Sequence, residues 1–281
     1  MMELSTFTIM RNRAVIAEEL RRLLPRMEGL SSVKILPLGH AAIDNRLPRG
    51  GLACGALHEI IPDAGSTPAA FGFMAALLAR VASPLPLPFP EGGRPPAPRA
   101  RTIFIVLPAH GLRDHGCLHG HGLRVLGLDP SRVVLVETAR RKDTLWALEE
   151  ALRSRTPAAV AGAVDKLDLK SSQRLHLAAA DGGLPLFLMR PSLTLESSAA
   201  ATRWRIGTAE AARDRFGLFA RARWRLALER CRNGRPGEWV VEYDHVAHRF
   251  SLVAALAGPA LPRRAVEAGK SGESLARAHQ A

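Results

Sequence analysis

The stretch from Leu57 to Val81 is laid out for phosphate chemistry but lacks the groups that would perform it. An apolar run, Leu57 to Ile61, leads into a short loop (Pro62, Asp63, Ala64, Gly65, Ser66, Thr67) and then a small, apolar segment reaching Val81. Strand, loop and helix in that order converge backbone N–H groups and the positive end of a helix dipole on one point, as phosphate-binding α/β proteins do. The loop has one glycine where a phosphate loop has two, and no lysine occurs between Lys34 and Lys142. Nothing here would reach a β- or γ-phosphate. Gly269-Lys270-Ser271 imitates the motif, but Arg264 stands where its first glycine should be and no strand precedes it. No catalytic residue, cofactor or metal is expected.

Two other groupings have chemical potential. His110, His115, Cys117, His119 and His121 fall within twelve residues; all are legitimate zinc ligands, but the spacing matches no established site. The interleaved glycines and apolar residues indicate a loop entering a core-facing helix. Cys54 and His58 flank the start of a buried strand and read as packing residues. Trp204 lies between Arg203 and Arg205, and Trp224 between Arg223 and Arg225. An aromatic ring between cations suits base stacking with phosphate neutralisation. Alternation along a strand offers a plainer account, with each ring in the core and the arginines in solvent; for Trp224 it is the better one. Arg203, Trp204, Arg205, Arg221, Arg223 and Arg225 are the candidate contacts to DNA or to an acidic partner.

These arginines belong to a wider asymmetry. The 281-residue chain has a formal net charge of +13, and residues 201–235 hold ten arginines against Glu210, Asp214 and Glu229, or +7. Hydrophobic residues make up 47%, enough for a substantial core and too many for wholesale disorder. Three scattered cysteines argue against a disulfide framework. No apolar run is long enough to cross a bilayer and the start of the chain lacks a secretory pattern, so a cytoplasmic protein without membrane attachment is expected.

The elements that would position these residues form an α/β pattern. Continuous apolar runs at Leu57–Ile61, Thr102–Leu107, Val133–Val136, Ala158–Val164 and Leu184–Met189 are separated by helix-length segments at 112–126, 143–153 and 171–180. Strands apolar at every position are covered on both faces, as in a parallel sheet. Beyond Arg190, residues 224–230 and 238–243 alternate around the turn Asn233-Gly234-Arg235-Pro236-Gly237, and 249–253 adds another strand, so the sheet gains an antiparallel extension. An amphipathic helix is expected over 13–27, within an N-terminal segment 1–30. A core domain spans 31–258, interrupted at 83–100 by a seven-proline insertion, and a polar tail runs over 259–281.

The sequence LPLGHAAIDNRLPRGGLACGALHEIIPDAG and its following helix resemble the opening of a RecA-like core with a degenerate phosphate loop. SSAAATRWRIG (197–207) and RWRLALERCRNGRPGEWVVEYD (223–244) narrow the resemblance to the ImuA family, RecA-like proteins of bacterial damage-inducible mutagenesis cassettes. That resemblance, covering about 36–256, implies a non-catalytic accessory role in translesion synthesis during the SOS response. Its implied partners are an ImuB-like Y-family protein, RecA or DNA, and indirectly an error-prone C-family polymerase. RecA's catalytic glutamate slot falls near Ala109, so neither the lysine nor the glutamate carries over; the Walker B slot does hold Asp165, which reads as a fold residue. The segment from Pro191 to Ala201 stands where RecA-like proteins project a DNA-contacting loop. The rivals are an ATPase with an unusual cradle built from Ser66, Thr67 and Asp165, and a SulA-like inhibitor of cell division.

Overall fold

The structure, a computed structural model, describes residues 34–82, 101–109, 116–194, 196–213 and 215–256. The N-terminal helix, proline-rich insertion, C-terminal tail, Gly-Lys-Ser triplet, His110 and His115 lie outside those residues. The chain folds as α/β around one mixed sheet of nine strands. Its strands are β3 (Leu57–Pro62), β4 (Ile103–Pro108), β5 (Val133–Thr138), β6 (Ala159–Ala163), β7 (Leu186–Met189), β8 (Thr202–Arg213), β9 (Phe219–Cys231), β10 (Gly237–Asp244) and β11 (Arg249–Leu256). They are ordered β5-β4-β6-β7-β3-β8-β9-β10-β11. The first six in that order are parallel, and β9, β10 and β11 continue antiparallel. Two two-residue strands, β1 (Ile35–Leu36) and β2 (Leu52–Ala53), pair separately around the short helix α1 (Ala41–Asp44).

Helix α2 (Thr67–Ala82) covers one face of the sheet, accompanied by the short α3 (Gly120–Val125). Eleven of its residues are buried, which suits a helix apolar on nearly every side. Gly72 lets the Trp224 indole lie close, since a Cβ there would stand 3.0 Å from Trp224 Cζ2. Trp204, Trp239, Tyr243 and Phe250 complete this core, with Phe73 of α2 touching Trp204 and Phe250. On the other face α4 (Arg141–Arg153) and α5 (Leu169–Gly182) pack over β4, β6 and β7 through Leu148, Leu152, Leu175 and Ala179. Asp168 caps α5 by accepting from Ser171 N at 2.8 Å, and Gly183 ends it in the left-handed region.

The expected strands and the antiparallel extension are present, but β5 is not covered on both faces as expected: it is an edge strand, and its Val134 and Leu135 are exposed. The sixth parallel strand, β8, was not anticipated: it lies beside β3 and carries Arg203, Trp204 and Arg205 into the centre of the sheet. Because β7 and β8 flank β3, the connection between them crosses β3 on the α5 side, with Ala199 N donating to Ser172 Oγ of α5 at 3.0 Å.

Candidate functional site

The loop after β3 sits where the parallel strands end and α2 begins, and its backbone and side chains are tied to β8 and β9. Asp63 N donates to Ile206 O at 2.7 Å and Ser66 N to Asp63 O at 2.9 Å, which closes the turn. Gly65 adopts φ +73°, favourable only for a residue without a side chain. The Asp63 carboxylate is buried and accepts from Arg225 Nη2 of β9, so an ion pair ties the loop to the antiparallel extension. Thr208 N points at Ser66 Oγ, 3.4 Å away. Gly207 completes the closure, since a Cβ there would collide with Asp63 Oδ2 and stand 3.3 Å from Arg225 Nε. A buried carboxylate at the start of the loop repels a phosphate, and the guanidinium nearest it is already engaged. Asp165 lies exposed just beyond β6.

The candidate contact arginines all lie on the sheet face opposite α2, and each meets a carboxylate. Arg203 Nε donates to Glu59 Oε2 at 2.8 Å, with Glu59 wholly buried in β3. Arg205 pairs with Glu229; Arg221 Nη1 and Arg223 Nε each reach Glu242 at 3.0 Å. The guanidinium groups beside Glu242 help hold its carboxyl below the usual range against desolvation. Three arginines also clamp the β7–β8 crossover by donating to its carbonyls. Arg203 reaches Glu196 O at 2.7 Å, Arg205 reaches Ser192 O at 3.1 Å, and Arg230 reaches Ser198 O and Ala200 O at 2.6 and 2.7 Å. The segment compared with a DNA-contacting loop is thus fastened down from below.

Trp204 does not belong with those surface candidates. Strand alternation turns it to the α2 side, where it is wholly buried and Trp239 stands 6.2 Å from its ring. Trp204 Nε1 donates to Thr202 Oγ1 at 3.0 Å; Thr202 in turn lies 2.8 Å from His58 Nδ1, and His58 Nε2 lies 2.9 Å from Ala53 O. Since a carbonyl can only accept, Nε2 carries a proton, and with the Thr202 hydroxyl able to donate to Nδ1 both ring nitrogens are satisfied in the neutral imidazole. Burial pushes His58 down to about 4. His58 is therefore a satisfied core residue. Cys54 is half-buried nearby, its thiol raised by burial. Of the histidine-rich stretch, Cys117 is exposed and the His119 and His121 rings lie 6.3 Å apart. Among the described residues no three His, Cys, Asp or Glu side chains converge as a metal site.

The acidic partners of these arginines escape local inspection. Glu59 precedes Arg203 by 144 residues and Asp63 precedes Arg225 by 162. A charged residue inside the otherwise apolar LHEIIP was the available signal, because a buried acid in a central strand requires a cation opposite.

No protein-family model matches the chain. Over 244 residues it is 32% identical to Protein ImuA of Caulobacter vibrioides, equally in two strains, an overlap spanning 79% of this chain and 90% of each relative. Identity of that degree across a shared length so nearly complete, together with the C-terminal signatures on β8, β9 and β10, makes the chain a member of the ImuA family.

Proposed function

We propose that this protein is a non-catalytic, RecA-like accessory factor of damage-induced mutagenesis that works by contact. Family membership supplies the tie to mutagenesis. The observation that carries the non-catalytic part is the chemistry of the loop: its Asp63 is a buried carboxylate paired with Arg225, and no lysine is present to reach a phosphate. A central strand leading through this loop into an apolar helix, within a run of six parallel strands, supports the RecA-like part. The partners that fit are an ImuB-like protein, RecA, DNA and, through them, an error-prone C-family polymerase.

Two measurements test this. Millimolar ATP with Mg²⁺ should leave the melting temperature unchanged, whereas a nucleotide present at about 100 times its Kd would add roughly 2.7 kcal/mol. In cells lacking the gene, the Thr67→Ala, Asp165→Ala double variant should restore induced mutagenesis as fully as the wild type. Nucleotide stabilisation together with failure of that variant would establish an unusual ATPase instead. Wild-type protein that restores no mutagenesis would sink the proposed role.

A further inference from the structure

We propose that the groove between α4 and α5 binds single-stranded nucleic acid, one base stacking on Trp146 while Lys142 and Lys170 meet the neighbouring phosphates. Of the four tryptophans, Trp204, Trp224 and Trp239 are buried, whereas Trp146 is 65% exposed. Lys142, Leu145, Trp146 and Glu149 recur at helical spacing along α4 and form one wall of a groove of about 200 Å³. Ser171, Arg174 and Leu175 of α5 form the other. Each helix follows a parallel strand, so their N-termini lie at the same end, joined by Arg141 Nη1 donating to Lys166 O at 3.0 Å.

Charge there is available rather than consumed. Three of the chain's five lysines, Lys142, Lys166 and Lys170, gather at this end, and among the described residues their ammonium groups have no ion-pair or hydrogen-bond partner. The acids nearby are answered locally. Glu149 is held by Arg153 at 2.6 Å and Arg174 at 2.5 Å, while Asp168 is committed to Ser171. No side chain caps the first turn of α4, so its positive dipole end adds to the field. Lys142 sits one turn from Trp146, about 5–6 Å between Cβ atoms, close enough for one strand to stack a base and contact the lysine through its backbone. An acidic polypeptide would use the cations and leave the indole idle; a nucleobase uses both. The groove lies on helices and is separate from the paired arginines of β8 and β9.

The buried environment of the other tryptophans makes the test direct. Titrating the full chain with oligo(dT) of about 16 nucleotides should quench the exposed component of tryptophan fluorescence. Trp146→Ala should weaken binding about tenfold or more. Lys142→Gln with Lys170→Gln should lower the slope of log affinity against log salt by about 1.4. Both variants should melt as the wild type does, because these side chains are exposed. Absence of binding, binding unaffected by Trp146→Ala, or preference for duplex over single strand would overturn the proposal. Binding of poly-glutamate as tight as that of oligo(dT) would overturn it too, since charge alone would then suffice.

Discussion

Strands β4, β6 and β7 carry no charged residue and are enclosed between α2 on one side and α4 and α5 on the other. Strands β8, β9 and β10 alternate: Trp204, Ile206, Trp224, Leu226, Trp239 and Val241 enter the core, while arginines and glutamates fill the opposite face. The same sheet is thus a double-sided core at one end and a single-sided core with an ionic outer face at the other. Hydrophobic burial accounts for cohesion in the first half. In the second, cohesion on the outer face rests on matched charges, and its worth depends on depth. Arg203 with Glu59 is sealed beneath the crossover, while Arg221 with Glu242 meets solvent.

Graded substitutions sharpen this contrast. Trp204→Ala, which opens a cavity at the junction of the halves, should cost about 3–5 kcal/mol in chemical denaturation. A loss below 1 kcal/mol would mean that the two halves do not share a core. Arg203→Ala should cost about 3 kcal/mol, because Glu59 is left buried and unpaired; replacing both residues with apolar ones should recover most of it. Failure of that double variant to recover would show that the crossover clamp, not the charge, is what matters.

Acid should act at the junction of the halves, where His58 of β3 meets Thr202 of β8. In the unfolded chain His58 takes up a proton near its ordinary value of 6.5, whereas in the folded protein it does so only at about 4. The unfolded state therefore binds more protons between those values. Stability from this group is complete above about pH 6.5 and declines as pH falls toward 4, by on the order of 3 kcal/mol. His176, lowered by burial and by Arg232, contributes in the same direction. His58→Gln should make the denaturation midpoint less dependent on pH across this window. The smallest effect is expected at the rim, where Arg221→Ala should cost below about 1 kcal/mol and less still in high salt. A cost equal to that of Arg203→Ala would erase the distinction between sealed and open pairs.

Local sequence disclosed the first half well. Uninterrupted apolar runs marked β3, β4, β6 and β7, which are enclosed on both faces, but could not tell them from the exposed edge strand β5; the alternation around Trp224 announced the extension and the inward ring. Strand β8 was harder, because TRWRIGTAEAAR mixes the apolar demands of a central strand with arginines whose partners lie far away in the chain. The local count of +7 over residues 201–235 misrepresents the surface these residues form. Glu59 from β3, Asp63 from the loop, and Glu238, Glu242 and Asp244 from β10 face the same arginines. Charge neutralisation in a sheet is a property of strand neighbours, and nonlocal pairing leaves no trace in composition or period. The loop after β3 was legible as lacking phosphate chemistry, but Arg225 as the partner of its aspartate was not.

The closure of that loop also governs which changes the protein can accept one at a time. Replacing Asp63 by a cation would set two cations against each other where Arg225 now meets Asp63. Removing Arg225 first strands a buried carboxylate, and any side chain larger than hydrogen at Gly207 collides with the pair. A single change at Asp63, Arg225 or Gly207 therefore lowers stability, and the three positions are held together by one another. Selection for stability alone would hold the position in its present state, acting as a ratchet independent of what the protein binds.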